Sequence, residues 1–429
     1  MKLKDAFRPN SMDELYGRLL LKKDLKTVPS QAIVFESMNK ITKSKMRCNR
    51  CGQVNEEKLI RLPIGYHYCP HCIQMGRVRS DEKLYHLPQQ DFEGASYLRW
   101  QGNLTTLQKD ISERLIQFSH THKNILVQAV TGAGKTEMIY PIINEALKKG
   151  KAVGLTSPRI DVCLELHRRL SRDFSCPIAL LHGQGDAYTR TPLVIATTHQ
   201  LLRFHAAFEL LILDEVDAFP FTDNKMLTFA LNKARTDTSR LVYLTATPTN
   251  ELEKQVKCGQ IKKLQLARRF HGFPLVLPQF IWQSKFYFKL KEQRATAFPL
   301  LIFVPKIKQG EELLQILKKA FPKEAIAFVA STSIDRLDSV EKFRKGEISI
   351  LISTTILERG VTFPKIDVFV FHSHHHNFTS SSLIQIAGRV GRSTDRPGGK
   401  VYFFHQGKTK RMVEAYRNIK KMNQIGGFI

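Results

Sequence analysis

The stretch Gln128–Met138, QAVTGAGKTEM, is a glycine-rich loop that ends in a lysine and a threonine before an apolar continuation. The apolar run KNILV precedes it with the character of a strand, and EMIYPIINEALKKG follows with apolar residues at helical spacing, closed by Gly150. A strand, a glycine-rich turn and a helix start form an anion site, because unpaired backbone N–H groups point at the ligand. The stretch therefore predicts binding of nucleotide phosphates.

The residues of this loop match the contacts that a nucleoside triphosphate needs. Lys135 can reach the β- and γ-phosphates, and the Thr136 hydroxyl suits Mg²⁺. Ala129 stands where the Walker pattern has its first glycine, and a merely structural glycine-rich turn is the alternative. The predicted cofactor-binding residues of the loop are Thr131, Gly132, Ala133, Gly134, Lys135 and Thr136.

Downstream of the loop, apolar runs of strand length alternate with helical patterns, as expected for a parallel sheet buried on both faces. The run FELLIL is followed by Asp214 and Glu215, which places two carboxylates at the carboxyl edge of that sheet. Asp214 can hold Mg²⁺ through water, and Glu215 can orient and deprotonate an attacking water. A solvated acidic turn is the alternative, but the combination with Lys135 and Thr136 favours ATP hydrolysis.

The charge balance indicates a polyanionic partner. The 429 residues include 66 Lys and Arg against 39 Asp and Glu, a formal net charge of +27. An excess of this size favours nucleic acid over a merely solvated surface, and over a membrane because no basic amphipathic anchor occurs. The length fits two or three domains, and the lack of an apolar leader or long apolar run predicts a cytoplasmic protein without direct membrane insertion.

Four of the seven cysteines are spaced for metal binding. The motifs CNRC and CPHC are separated by seventeen residues, a spacing typical of zinc ribbons in which four thiolates close a tetrahedral shell. His67 or His71 could replace one thiolate, and a redox or chance occurrence of two CxxC pairs is the alternative to zinc. The predicted zinc ligands are Cys48, Cys51, Cys69 and Cys72.

The motifs AVTGAGKT, TSPR, DEVD, TAT, ISTTILERGVTFP and QIAGRVGR, in this order, resemble the motif series of superfamily 2 helicases and translocases. With the four-cysteine module in front, the whole chain is similar to the ComFA family of competence ATPases. The resemblance implies an α/β fold with two RecA-like parallel-sheet domains, preceded by a small zinc-ribbon module, with ATP bound between the domains. The implied segments are an N-terminal arm (1–40), the zinc module (41–95), the ATP-binding RecA-like domain (96–255), a basic aromatic linker (256–298) and a second RecA-like domain (299–429).

The resemblance also implies roles for single residues. Gln108 corresponds to a glutamine that reads the adenine edge, and Thr245 and Thr247 of TAT belong to the motif that couples the nucleotide state to domain closure. Arg389 and Arg392 resemble arginine fingers, which we expect on one helical face. The other implied site residues are Gln385 in catalysis, Gly360 in cofactor binding, and Pro158, Arg159, Thr197, Thr198 and Thr355 in DNA contacts.

Two stretches depart from the motif pattern. Thr362 stands where helicases of the DEAD type usually carry Asp, so a ribose contact from this position is not implied. The stretch HSHHHN, from His372 to Asn377, has the composition of a metal site, but no carboxylate or thiolate ligands lie near it in sequence. A loop is the favoured interpretation.

The segment 256–298 combines many basic residues with aromatic rings. Such charges can follow the backbone of a single nucleic-acid strand while the rings stack on its bases. Core aromatics beneath a solvated lysine face are an equally good interpretation. The predicted DNA contacts of this segment are Lys262, Lys263, Arg268 and Arg269.

Together, these patterns predict an ATP-driven motor on nucleic acid, with DNA-dependent ATP hydrolysis and with Mg²⁺ and Zn²⁺ as further cofactors. The family resemblance implies single-stranded DNA as the track during transformation. It also implies a ComFC-type protein, DprA and the membrane DNA-uptake channel as partners, which would bring the protein to the inner face of the membrane. The alternatives are an RNA or replication-restart helicase and a non-catalytic zinc-dependent adaptor; a homo-oligomer is left open.

Overall fold

The structure is a computed structural model that describes residues 12–183 and 188–428. By their contacts, these residues divide into two compact units. The first unit contains the described residues up to Val127 together with Thr136–Leu264. The second unit contains Gln128–Lys135 together with the residues from Gln265 onward. The glycine-rich loop therefore belongs, by its contacts, to the unit that carries the C-terminal half of the chain.

The start of the chain forms two small antiparallel sheets, of order β1-β6-β2 and β3-β4-β5 within the described residues. The arm expected for residues 1–40 is therefore wrong for its described part, because β1 and β2 both pair with β6 from beyond the cysteines. All three leucines of β1 are buried, which favours pairing over a free arm. Residues 1–11 lie outside the described residues. The strands are β1 (Leu19–Leu21), β2 (Ile33–Glu36), β3 (Met38–Thr42), β4 (Lys45–Cys48), β5 (Val54–Glu56) and β6 (Lys83–His86).

A seven-stranded sheet of order β13-β7-β12-β11-β8-β10-β9 forms next, counted over the described residues. The pairs β11–β12, β11–β8, β10–β8 and β10–β9 are parallel, as the continuous apolar runs predict. The carboxyl ends of these strands consequently lie along one edge. The strands are β7 (Asn124–Ala129), β8 (Val153–Ser157), β9 (Ile178–Leu181), β10 (Leu193–Thr197), β11 (Phe208–Asp214), β12 (Arg235–Thr245) and β13 (Lys262–Leu266).

The helix expected after the glycine-rich loop is broken in two. Pro141 lies in the first turn of the second piece, where its missing N–H costs nothing, and Gly150 follows the last turn at a φ of 69° as the predicted C-cap residue. The helices of this half are α1 (Thr106–Thr121), α2 (Lys135–Met138), α3 (Tyr140–Lys148), α4 (Ile160–Asp173), α5 (Lys225–Ala234) and α6 (Asn250–Lys257).

The second unit contains a six-stranded parallel sheet of order β14-β19-β18-β15-β17-β16, again counted over the described residues. None of the described helices is both long and apolar enough to cross a membrane. The strands are β14 (Gln279–Trp282), β15 (Leu300–Phe303), β16 (Ile326–Val329), β17 (Ile350–Ser353), β18 (Asp367–Val370) and β19 (Val401–His405). The helices are α7 (Phe286–Arg294), α8 (Ile307–Ala320), α9 (Arg336–Lys345), α10 (Ser380–Ala387) and α11 (Lys410–Ile425).

The segment 256–298 is not a separate linker. Its first part, β13, completes the first parallel sheet, and β14 and α7 belong to the second. Phe286 is 1% exposed and lies in the core of the second sheet, so one of the aromatic rings is a core residue. The second sheet therefore begins at Gln279, earlier than the expected boundary at 299.

The cysteine module packs onto helix α5 of its own unit. Its buried side chains form one continuous core cluster with those of the parallel sheet. Phe229 lies so close to Gly52 that a Cβ there would come within 2.5 Å of the ring. The Lys233 ammonium donates to the carbonyl of Arg50 at 2.8 Å. These contacts tie the module to the first parallel sheet.

Candidate functional site

The glycine-rich loop, called the phosphate loop here (residues 129–135), leaves the carboxyl end of β7. Gly132 and Gly134 have φ values of 79° and 76°, a conformation that residues with a Cβ rarely adopt. Ala129 is fully buried as the last residue of β7 and has no left-handed φ, so the missing first glycine is tolerated sterically. The Lys135 ammonium donates to the carbonyl of Ala129 at 3.0 Å, which places its charge at the loop itself.

Thr136, the predicted Mg²⁺ ligand, has a partner that no sequence motif indicated. Its hydroxyl accepts a hydrogen bond from Arg169 of α4 at 3.2 Å. Arg169 also forms an ion pair with Glu137 at 3.3 Å. A lone arginine in an amphipathic helix gives no sequence signal for such a role.

The predicted catalytic carboxylates follow β11, in the same sheet as β7. Asp214 is the last residue of the strand and is buried. Glu215 has a φ of 57°, and its N–H donates to the Asp214 carboxylate at 2.9 Å. A left-handed glutamate is sparsely populated and costs about 1–3 kcal/mol, which the surrounding structure must offset. Such strain is typical of functional positions, and the two carboxylates lie at the carboxyl edge of the sheet as predicted.

Asp217 is a residue of this site that sequence reasoning did not single out, although it is the last letter of DEVD. Its carboxylate accepts from the Thr245 hydroxyl at 2.6 Å and from the Thr247 hydroxyl. Both threonines lie at the carboxyl end of β12, the strand next to β11. The DEVD and TAT motifs are thus joined directly by hydrogen bonds.

Gln108, the predicted adenine reader, takes part in the cap of α1. Its side-chain carbonyl accepts from the N–H of Thr105 at 2.8 Å, while the Thr105 hydroxyl accepts from the N–H of Gln108. This is a capping box, which stabilises the start of a helix. The position of Gln108 is therefore explained by helix capping, and its contact with adenine stays a prediction.

The predicted DNA contacts of the first unit lie along the same carboxyl edge. Thr197, at the end of β10, is paired in register with Ser157, at the end of β8. Pro158 and Thr198 follow these positions and are buried, whereas Arg159 and Thr197 are partly exposed. Arg159 and Thr197 are therefore the members of this set that can reach a ligand.

The basic residues of segment 256–298 that were predicted to contact DNA have partners inside the protein. Lys263 forms an ion pair with Glu253 at 2.6 Å, and Lys262 lies 5.0 Å from the ring centre of Phe118. Arg268 donates to the carbonyl of Gly426 and lies over the ring of Phe428.

Arg269 is 2% exposed, which contradicts the prediction that it lines a DNA path. Five aromatic residues around this segment are at least 45% exposed, namely Phe270, Phe273, Trp282, Tyr287 and Phe288.

The predicted arginine fingers do not lie on a helical face. α10 ends at Ala387, and Arg389 and Arg392 follow in a turn that contains Gly388 and Gly391 (the arginine turn, residues 388–392). Glycine at 391 adopts a φ of 70°, which breaks the helical path. Arg389 is 2% exposed, and one of its nitrogens donates to the carbonyl of Val361.

Arg392 is less buried, and it donates to the Thr362 hydroxyl at 3.4 Å. Thr362, at which the sequence departs from the DEAD-type pattern, thus lies beside Arg392, a predicted arginine finger. Other predicted residues of this half are Gln385, buried on α10, Gly360, at a φ of 76°, and Thr355, which follows β17.

The four cysteines of the CxxC motifs converge on one point. Their sulfur atoms all lie within 4.8 Å of one another, with Cys51 and Cys69 at 3.5 Å and Cys48 and Cys72 at 3.9 Å. Zinc–sulfur bonds of about 2.3 Å place the thiolates of a tetrahedron about 3.8 Å apart, so the cluster fits the size of a zinc ion. Among the described residues, this is the only group of three or more such side chains close enough to hold a metal, so neither His67, His71 nor the stretch at His372 adds a ligand.

Comparison with known proteins identifies the family of the chain. The family model "Competence protein ComFA N-terminal domain" matches residues 6–86, "DEAD/DEAH box helicase" matches 105–255 and "Helicase conserved C-terminal domain" matches 284–394. The chain is 52% identical to the competence protein ComFA of Streptococcus pneumoniae over 425 residues, which covers 96% of this chain and 98% of that protein. It is 38% identical to ComFA of Bacillus subtilis over 417 residues, covering 92% and 89%.

Solved structures resemble the fold. Yeast Dbp5 bound to RNA and ADP BeF3 aligns with a TM-score of 0.56 at 17% identity, covering 76% of this chain and 93% of that one. At this identity the similarity shows the fold alone, two RecA-like parallel-sheet domains. The matches over the full chain show more: the chain belongs to the ComFA family of competence proteins, which are superfamily 2 helicase-like ATPases.

Proposed function

We propose that this protein is an ATP-driven motor that moves single-stranded DNA during transformation. The observation that supports the proposal is that β7, which leads into the phosphate loop, and β11, which ends at Asp214, are strands of the same sheet. ATP hydrolysis needs a phosphate-binding loop and a carboxylate that activates water, and here both follow strands of one sheet.

The chain offers a distinct role for each residue of this site. Lys135 would neutralise the β- and γ-phosphates, and Thr136 and Asp214 would hold Mg²⁺, which would supply positive charge beside the phosphates. Glu215 accepts the proton of the attacking water. Arg392 belongs to the same compact unit as the phosphate loop and supplies positive charge to the γ-phosphate.

The proposed track is a single strand rather than a duplex. A net charge of +27 supplies the attraction to phosphate groups, and exposed rings such as Trp282 and Phe288, at 57% and 61%, supply stacking surfaces. Arg159, Thr197 and Thr355 are the proposed contacts to the backbone at the ends of the parallel strands. Gln108 and Gly360 remain proposed contacts of the nucleotide.

The zinc-ribbon module is proposed to have a structural role. Four thiolates fill a tetrahedral zinc shell and leave no position for substrate, so this centre supplies folding energy rather than chemistry. By family resemblance, we further propose that the protein meets a ComFC-type protein, DprA and the DNA-uptake channel at the inner face of the membrane.

The rate of phosphate release by the purified protein, measured with no nucleic acid and with single-stranded DNA, duplex DNA or RNA, tests this proposal. We expect the largest stimulation by single-stranded DNA. Stronger stimulation by RNA or by forked duplex would favour an RNA or restart helicase instead. No hydrolysis under any of these conditions, with zinc bound, would favour the adaptor without catalysis.

A further inference from the structure

The segment that follows β13 runs along the phosphate loop and binds it through the backbone. The N–H of Val130 donates to the carbonyl of Leu266 at 3.1 Å, and the N–H of Phe270 donates to the carbonyl of Gly132 at 3.2 Å. Between these two bonds, the Nε of Arg269 donates to the carbonyl of Thr131 at 3.2 Å. Three consecutive residues of the loop are therefore held by one short segment.

The same arginine holds the arginine turn. Nη1 of Arg269 donates to the carbonyl of Gly391, and Nη2 donates to the carbonyl of Gly388 at 3.3 Å. His271 supports this contact, since its Nε2 lies 2.9 Å from the Gly391 carbonyl while its Nδ1 accepts from the N–H of Phe273. With Nδ1 as an acceptor, a neutral ring carries its proton on Nε2 and donates to Gly391.

The two glycines of the arginine turn, Gly388 and Gly391, have no space for a side chain. A Cβ at Gly388 would come within 2.0 Å of the Thr131 hydroxyl, and a Cβ at Gly391 would come within 2.8 Å of an Arg269 nitrogen. All of these residues belong to the same compact unit. Arg269 therefore fills the space between the phosphate loop and the arginine turn.

Within the described part of the chain, the buried charge of Arg269 has no acidic partner. Among the described residues, Arg392 is the only charged group that acts on it, and its hydrogen-bond acceptors are neutral carbonyls. Burial, together with the like charge of Arg392, lowers the pKa of Arg269 to about 9. A buried cation is costly unless an anion compensates it, and two neighbouring guanidinium groups beside a phosphate loop create a strongly positive environment. The triphosphate of ATP is an anion of the required charge.

We infer that Arg269 is a positioning residue of the nucleotide site, which links the phosphate loop to the arginine turn so that Arg392 is aligned with the phosphates that Lys135 binds. This inference rests on the proposed ATP hydrolysis. Arg269 needs no contact with the nucleotide, because its three donors fix backbone carbonyls on both sides. A lysine cannot replace it, since an ammonium on a flexible stem does not reproduce the planar fork of a guanidinium.

The test compares Arg269→Lys, which keeps the charge, with Arg294→Lys as the matched control. Arg294 lies in the same compact unit and is also largely buried, but its guanidinium pairs with Glu324 at 2.9 Å rather than with the phosphate loop. For Arg269→Lys we expect kcat to fall about 100-fold, the cost of a misplacement of about 1 Å, while the Kd for ATP changes less than about 3-fold. For Arg294→Lys, both constants should stay within about 2-fold of the wild type, as is usual away from the reacting groups.

Hydrogen exchange distinguishes a positioning role of Arg269 from a merely structural one, because it measures which peptides the nucleotide protects. Adding a non-hydrolysable ATP analogue to the wild type should protect peptides covering both 129–135 and 388–392. In Arg269→Lys, we expect protection of 129–135 alone. Equal protection of both peptides in this variant, or an unchanged kcat, would overturn the inference but not the proposed function. A lowered kcat that is explained entirely by a lowered melting temperature would also overturn the inference. A wild type that neither binds nor hydrolyses ATP would refute the proposed function and this inference with it.

Discussion

Replacing Cys69 with serine should remove zinc from the cysteine module and unfold it. Structural zinc contributes about 10–16 kcal/mol in zinc-finger peptides near neutral pH, an amount comparable to the about 5–15 kcal/mol that holds a whole domain. The four thiols lie within 4.8 Å of one another, and each of them is buried. Losing one ligand therefore removes most of the free energy that keeps this module folded.

The loss should spread into the first parallel sheet, because the module packs onto α5. Unfolding the module removes the hydrogen bond from the partly buried Lys233 ammonium to the Arg50 carbonyl, which costs about 1–3 kcal/mol. It also uncovers the face of Phe229 that packs on Gly52, which costs about 1 kcal/mol for a half-buried ring. The sum is about 2–4 kcal/mol, which lowers the melting temperature of a unit of this size by about 5–15 °C.

Elemental analysis and calorimetry on one preparation measure both effects. Cys258→Ser is the matched control, because Cys258 is exposed and lies outside the cluster. We expect one zinc per chain in the wild type and in the control, and none in Cys69→Ser. Retention of one zinc by Cys69→Ser would refute the four-thiolate centre. Loss of zinc without a shift in melting temperature would refute the argument from packing.

Three further outcomes follow from the site. Glu215→Gln should bind ATP normally and lower turnover by about 10²–10⁴, as loss of a general base does, in a phosphate-release assay; turnover near the wild-type rate would exclude Glu215 as the base. Thr245→Val should lower the free energy of unfolding by about 1.5–3 kcal/mol in a urea titration, because Thr245 loses a hydrogen bond to the Asp217 carboxylate; an unchanged midpoint would show that this bond contributes nothing. Trp282→Ala should weaken single-stranded DNA binding by about 1–3 kcal/mol in a fluorescence titration, and an unchanged Kd would remove this exposed ring from the track.

The phosphate loop, the acidic pair and the cluster of four cysteines could be predicted from sequence because each depends on residues close together in the chain. The backbone shape of the loop that contains Gly132, Gly134 and Lys135 is set locally. Each CxxC motif likewise fixes the spacing of its own two cysteines. The parallel sheets could also be predicted, since a continuous apolar run such as that of β11 is typical of a strand buried on both faces of a parallel sheet.

The contacts that sequence could not supply depend on residues far apart in the chain. Arg169 reaches Thr136 from another helix, and Arg269 meets the arginine turn across 119 residues or more of sequence. The basic segment was ambiguous because charge and aromatic content do not reveal burial: Phe286 lies in the core, whereas Trp282 is exposed. The N-terminal strands were missed since their partner, β6, lies beyond the cysteines.

Displacement of streptavidin from biotinylated single-stranded DNA measures movement along the track most directly. With ATP and Mg²⁺, the wild type should displace streptavidin from one end of the strand faster than spontaneous dissociation, and Lys135→Ala should not, because its phosphate loop lacks the cation for the β- and γ-phosphates. Rapid hydrolysis of ATP by the wild type without displacement from either end would contradict the proposal that this protein is a motor on single-stranded DNA.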